Sequence, residues 1–234
     1  ADIIYVQRQG HDYTISQGDV ITPATIVRDL GIKENDSLLR LLDNIKCLFL
    51  LEGSDDVSAF THIAHQYKQA GKVEKDFEEL GVLLIPVGGC GSIKHWTNYN
   101  VITKLNKPYF VLLDSDKTSA NEDSPNMREL LSYGYDVKSC QVTRKREIEC
   151  YIPDTYFSQL KKPISDLHYG DWDDVKGLCK QHPEAGRLGG KNVCERHFCH
   201  LTYDMLRLTF CPTGNDADDE FLEIYHKICD KMKN

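Results

Sequence analysis

The sequence predicts an α/β domain, an open and mainly parallel sheet with helices on both faces, followed by a helical addition. Three observations carry this. Near-continuous apolar runs of strand length recur at Cys47–Leu51, 82–87 and 109–113, as strands covered on both faces require. Between the first two the apolar period becomes helical, with Val57, Phe60, Ile63, Ala64 and Tyr67 on one stripe. The links are short, and strand–helix repeats with short links build a sheet wound on both sides.

Taken in order, Ile3-Ile4-Tyr5-Val6 reads as a strand and Gly10-His11-Asp12 as its turn. Pro23 opens a short helix, and Leu38, Leu39, Leu41 and Leu42 form an apolar patch. Residues 1–45 do not read as the start of a compact domain. The expectation is a connector or the tail of an upstream domain. The chain opens at Ala1 rather than Met, so a piece of something longer is expected. Cys47–Leu51 is the first buried strand, and Asp55 is an N-cap candidate for the helix that follows. A second strand spans 82–87. The loop Gly88-Gly89-Cys90-Gly91-Ser92 then leads to a helix over 93–105. Strands at 109–113 and 136–142 flank a short helix at 126–133. After Pro153 helices are expected near 155–161, 172–181, 191–208 and 216–231. The division is therefore 1–45 as connector, 46–153 as core and 154–234 as helical addition.

Composition narrows the function classes. Of the 234 residues, 41% are hydrophobic and 27% charged, which excludes disorder, collagen-like repeats and coiled coil. No apolar run approaches the roughly 18 residues of a membrane helix, and no signal peptide is expected from the opening residues. Thirty-six acids against 28 bases give a net charge of −8. That argues against binding nucleic acid by overall charge, unless carboxylates hold divalent cations that supply the positive charge. The nine cysteines include no CxxC pair, so free thiols are expected. Cys194, His197, Cys199 and His200 fall on different faces of a helical pattern and do not make a zinc site.

In open α/β sheets, sites form outside the carboxyl ends of the strands. Glu52 directly follows the first buried strand, in Leu51-Glu52-Gly53-Ser54-Asp55-Asp56, and Asp56 lies in the first turn of the next helix. Asp114 and Asp116 follow the third, and on an extended segment residues i and i+2 share a face. Neighbouring strand ends would bring three or four carboxylates together. Such a cluster repels itself unless protons or cations sit within it. Oxygen ligands select Mg²⁺ or Mn²⁺, and a pair of such ions about 3.5–4 Å apart serves phosphoryl transfer. Gly88, Gly89 and Gly91 fit either a close backbone approach or a plain βα turn. They form no P-loop, so no nucleotide site is expected within this chain.

These motifs resemble a Toprim domain: Leu51-Glu52-Gly53-x-x-Asp56, a glycine-rich loop after the second strand, then Asp114-x-Asp116 after the third. Arg144-Lys145-Arg146-Glu147-Ile148-Glu149-Cys150-Tyr151-Ile152 resembles the R-E-I-E-N-Y segment of the OLD (overcoming lysogenization defect) ATPase–nucleases, with Cys150 where Asn or Asp is usual. The resemblance covers about 46–153 well and the tail loosely. Residues 1–40 weakly resemble the end of that family's ATPase head. The resemblance implies a Mg²⁺- or Mn²⁺-dependent endonuclease acting on DNA in the bacterial cytoplasm, in a phage-defence context, with an ATPase domain upstream. It implies Glu52 and Asp56 on one metal, Asp114 and Asp116 on the second or bridging the pair, and Glu149 as a further ligand in preference to Glu147. A basic residue near the scissile phosphate is also implied, and Lys191 in Gly189-Gly190-Lys191-Asn192-Val193 is the candidate. Arg144, Lys145 and Arg146 are either phosphate contacts or a solvated face. Self-association stays open.

Two rivals remain. Asp114-Ser115-Asp116-Lys117-Thr118 also fits the DxDxT motif of haloacid dehalogenase-like phosphatases, with Gly170-Asp171-Trp172-Asp173-Asp174 as a distal acidic motif. There DxDxT normally ends the first strand, and Glu52-Gly53-x-x-Asp56 stays unexplained. The other rival is a non-catalytic, metal-binding regulatory module of a larger assembly. Topoisomerase and primase activities would need more chain than this.

Overall fold

The computed structural model describes the backbone of residues 4–9 and 12–17, and residues 44–89, 91–93 and 107–233. The turn at Gly10 and His11, the helix from Pro23, the Leu38–Leu42 patch, Cys90 and residues 94–105 of the expected helix lie outside them. Near the amino terminus β1 (Ile4–Gln9) and β2 (Asp12–Gln17) form an antiparallel pair.

The main sheet has four parallel strands in the order β4 (Val82–Pro86), β3 (Cys47–Leu51), β5 (Tyr109–Leu113) and β6 (Cys140–Val142). Alternation sorts the side chains of each strand to two cores. Cys47, Phe49, Leu51, Phe110 and Leu112 face one core. Leu48, Leu50, Val111 and Leu113 face the other. The first core is covered by α1 (Ser54–Gln69), through Phe60, Ile63 and Tyr67, and by the carboxy-terminal helices. The second is covered by Leu130 of α3 (Pro125–Ser132) and by Ile93. Helices therefore lie on both faces, as a sheet buried on both sides demands. Phe49 is the hub of the first core, with ring centroids 5.4 Å from both Phe60 and Phe77 and 6.2 Å from Phe110. Each such ring contributes about 1.5–3 kcal/mol by burial.

The tail shares this core. A 3-10 turn (Ile148–Tyr151) leads to α4 (Asp154–Ser158), α5 (Val175–Gln181), α6 (Ala185–Leu188), α7 (Val193–His197), α8 (Tyr203–Phe210) and α9 (Glu220–Lys231). Phe210, Phe221, Ile224 and Ile228 belong to the same cluster as Phe49.

Local hydrogen bonds redraw several expected boundaries. The single helix expected over 191–208 is broken. After α7 and a 3-10 turn (Phe198–His200), Leu201 is extended and its carbonyl takes His62 Nε2 at 2.7 Å, and Thr202 caps α8. Asp174 caps α5 by accepting from Gly177 N at 2.7 Å, so that helix starts three residues later than expected. The fourth strand is shortened because residues 136–139 form a turn, closed by Ser139 N on Asp136 O at 2.7 Å. α2 (Phe77–Leu80) was not expected from periodicity; it is one turn held by an Asp76–Glu79 capping box. Among the described residues, no helix is long and apolar enough to cross a membrane.

Candidate metal centre

The sheet order places the site. β3 connects to β4 on one side, while β5 leads to β6 on the other, so the carboxyl ends of β3 and β5 flank the point where the winding reverses. Glu52 leaves β3 there, and Asp114 leaves β5 beside it, with Asp114 N donating to Glu52 Oε2 at 3.3 Å. The glycine loop holds Glu52 from the β4 side. Gly88 and Gly89 have φ of 86° and 94° and donate to the Glu52 carbonyl at 3.1 and 2.9 Å. Left-handed backbone at two successive positions is why glycine stands there.

Gly53 is the N-cap of α1, and the carboxylate that reaches back to it is that of Asp56, whose Oδ2 accepts from Gly53 N at 2.9 Å. The expected cap, Asp55, is instead inside the first turn. Asp56 is buried and near enough to Glu52 to push its carboxyl upward. Asp114 is also buried, and its Oδ1 accepts from Ile148 N at 3.0 Å. Asp116 does not continue the strand. Its φ of 53° turns it to the exposed rim, where Asn126 Nδ2 donates to its Oδ2 at 2.9 Å and to the Asp114 carbonyl at 2.8 Å. The shared face expected of residues i and i+2 is lost because the chain bends after β5, but Asp116 stays near enough to push Glu52 upward.

Glu149 lies in the 3-10 turn that follows Ile148. Its side chain is fully buried, and among the described residues neither carboxylate oxygen has a hydrogen-bond partner apart from Lys176. Among the described residues its cationic partner is Lys176 Nζ of α5, 3.1 Å from Oε2. Glu147, also buried, lies 3.7 Å from the same ammonium group and accepts from Lys176 N at 3.3 Å.

The electrostatics are those of a site short of positive charge. Burial, then Asp56 and Glu149, pushes Asp114 well above the usual carboxylate range. Burial and Asp56 raise Glu52, and burial raises Asp56. Burial pushes Glu149 to about 8, although Lys176 opposes it. Burial works against the charge on Lys176, yet Glu149, Glu147 and Asp114 outweigh it and push its pKa up. Glu52, Asp56, Asp114, Lys176 and the glycine loop line one open depression of about 600 Å³. A larger cavity of about 730 Å³ lies elsewhere, beside β4, and contains none of these carboxylates.

These donors are all oxygen, the set that suits Mg²⁺ or Mn²⁺, and the buried Glu149 carboxylate, paired with a single ammonium group among the described residues, is one that an added cation would suit. As the side chains stand, no three acidic, His or Cys groups among the described residues close around a single ion. The backbone donors above and Lys176 engage the carboxylates instead.

Lys191 sits on an exposed 3-10 turn (Gly190–Asn192). Cys194, three residues on in α7, has its Sγ 4.0 Å from the Asp55 carbonyl of α1, but Lys191 is not among the residues that line the depression. Lys176, inside the depression, was missed from sequence; nothing in Asp174-Val175-Lys176-Gly177 marks it. Arg144 and Lys145 are engaged internally, with Glu223 at 2.5 Å and Asp171 at 2.8 Å respectively. Cys194 and His197 are buried while Cys199 and His200 are exposed, and His197 is bonded to Tyr156 and Arg187.

A parallel sheet with acids at its switch point is an α/β architecture with a ligand site at the carboxyl ends of its strands. Comparison with protein families makes this specific: residues 45–116 match the overcoming lysogenization defect protein-like TOPRIM domain. The chain carries an OLD-like Toprim domain, whose matched segment runs from the start of β3 through Asp116. Toprim domains bind divalent metals and act on nucleic acids. No curated protein matches the chain.

Proposed function

We propose that this chain is the catalytic region of a Mg²⁺- or Mn²⁺-dependent DNA nuclease that hydrolyses phosphodiester bonds. The observation that carries the proposal is that Glu52, Asp56 and Asp114 line one depression at the switch point, with Glu149 buried close enough to raise Asp114. A bound pair of divalent ions would supply Lewis-acid activation of water and of the phosphate. Glu52 and Asp56 would hold one ion, and Asp114, Asp116 and Glu149 the other. Asn126 positions Asp116, and Ile148 N orients Asp114. Lys191 would meet the phosphate and stabilise charge developing on it. DNA, an upstream ATPase domain and self-association belong to the same proposal, as does the division into connector, Toprim core and helical addition.

Two chromogenic esters separate this from the phosphatase alternative. With Mn²⁺, hydrolysis of bis(p-nitrophenyl) phosphate that disappears in Glu52→Gln supports a diesterase. Hydrolysis of p-nitrophenyl phosphate alone, retained in Glu52→Gln and lost in Asp114→Asn, would replace it with a phosphatase. Metal binding with neither activity would favour the regulatory module.

A further inference from the structure

Lys176 stands in an unusual place for a lysine. It lies in the first turn of α5, where the helix dipole disfavours a cation. Its ammonium group nevertheless reaches inward, 3.1 Å from Glu149 and 3.7 Å from Glu147. Glu149 is fully buried, and among the described residues this ammonium group is the one cation paired with its carboxylate. The two partners differ in access. The Lys176 side chain is 38% exposed and lines the open depression, whereas that of Glu149 is 0% exposed. The lysine has a way out to solvent; the carboxylate has none.

We propose that Lys176 is a built-in counter-ion, a stand-in for a divalent cation at Glu149 that must swing out before Glu149 can ligate. This rests on the metal-site reading above and adds a regulatory element to it. With the ammonium in place, the buried carboxylates keep a neutralising charge when no metal is present. With a cation in place, that charge is redundant and like charges repel the ammonium toward solvent. Occupancy of the second ion is thereby set by competition with a tethered cation, so it requires a higher free metal concentration than the Glu52–Asp56 side.

The test is Mn²⁺ binding by the whole chain, read from the electron paramagnetic resonance signal of free Mn²⁺ at one pH and ionic strength. Lys176→Met should tighten the weaker site by roughly tenfold, the scale of losing one partly buried ion pair. Lys176→Arg, whose planar fork grips a carboxylate with two bonds, should weaken that site and leave the tighter one unchanged. In a Glu149→Gln background, Lys176→Met should change nothing. Unchanged or weaker Mn²⁺ binding in Lys176→Met overturns the proposal. Should that variant fail to fold, wild-type affinity in Lys176→Arg overturns it equally. If the wild type binds no Mn²⁺ that Asp114→Asn removes, the metal reading itself fails, a result distinct from a metal site indifferent to residue 176.

Discussion

Replacing Glu220 with Gln tests how the carboxy-terminal helix holds the segment that delivers Glu149. Glu220 begins α9 and is 2% exposed. It accepts from Arg144 N at 2.6 Å and from the Tyr151 hydroxyl, so it ties both ends of the 144–151 segment. Burial pushes its pKa from 4.5 to about 7, against the pull of Tyr151 and Arg144. A carboxyl raised on folding binds its proton more tightly in the native state. Stability is therefore greatest below about pH 4.5 and declines as pH rises through about 7, above which the loss is complete. At about 1.4 kcal/mol per tenfold change in proton affinity, that displacement amounts to roughly 3 kcal/mol. Gln cannot ionise. Its amide keeps one acceptor for Arg144 N but presents a donor to Tyr151, so its overall stability drops at low pH. The assay is urea unfolding followed by circular dichroism in EDTA at pH 5 and pH 8. The wild type should lose stability between the two, and Glu220→Gln should lose about 2.5 kcal/mol less, the part of the displacement that falls between those pH values. An unchanged difference in the variant would refute the argument.

Other substitutions probe neighbouring supports. Tyr67→Phe removes a fully buried hydroxyl that donates to Asp219 at 2.9 Å; urea unfolding should show a loss of about 1–3 kcal/mol. Gly81→Ala places a methyl 2.8 Å from the Asn44 carbonyl at a φ of 78°. It should cost at least about 1–3 kcal/mol by thermal or urea unfolding, because neither the backbone atom nor the left-handed conformation can yield cheaply. Asn126→Ala releases Asp116 and the Asp114 carbonyl together; calorimetry should show weaker Mn²⁺ binding, by roughly tenfold or more for one lost hydrogen bond to a charged group.

The parts legible in sequence were those with periodic or positional signals. Cys47–Leu51 and Tyr109–Leu113 stand out because both faces of each strand are apolar, and Glu52 and Asp114 because they end those strands. Asp56 followed from its place in the first helical turn. What escaped is tertiary. Lys176 reaches Glu149 only because α5 packs against the 3-10 turn, a contact across a stretch with no periodic signal. The bend at Asp116 depends on Asn126 and the Arg146 carbonyl, both distant in sequence. The break after α7 depends on His62 of α1 reaching Leu201. Cys150, the departure from the family's usual Asn or Asp, is buried with its Sγ 3.6 Å from the Asp173 carbonyl, so it serves packing beside α5 rather than facing the depression.

The most direct measurement is cleavage of supercoiled plasmid with Mg²⁺, Mn²⁺, Ca²⁺ or EDTA, wild type beside Asp114→Asn. The variant keeps the size of a buried side chain that accepts from Ile148 N and removes its charge. Nicking or linearisation that requires Mg²⁺ or Mn²⁺ and is lost in Asp114→Asn is the result predicted for a carboxylate-held metal nuclease. Cleavage that persists in the variant, or in EDTA, would contradict it.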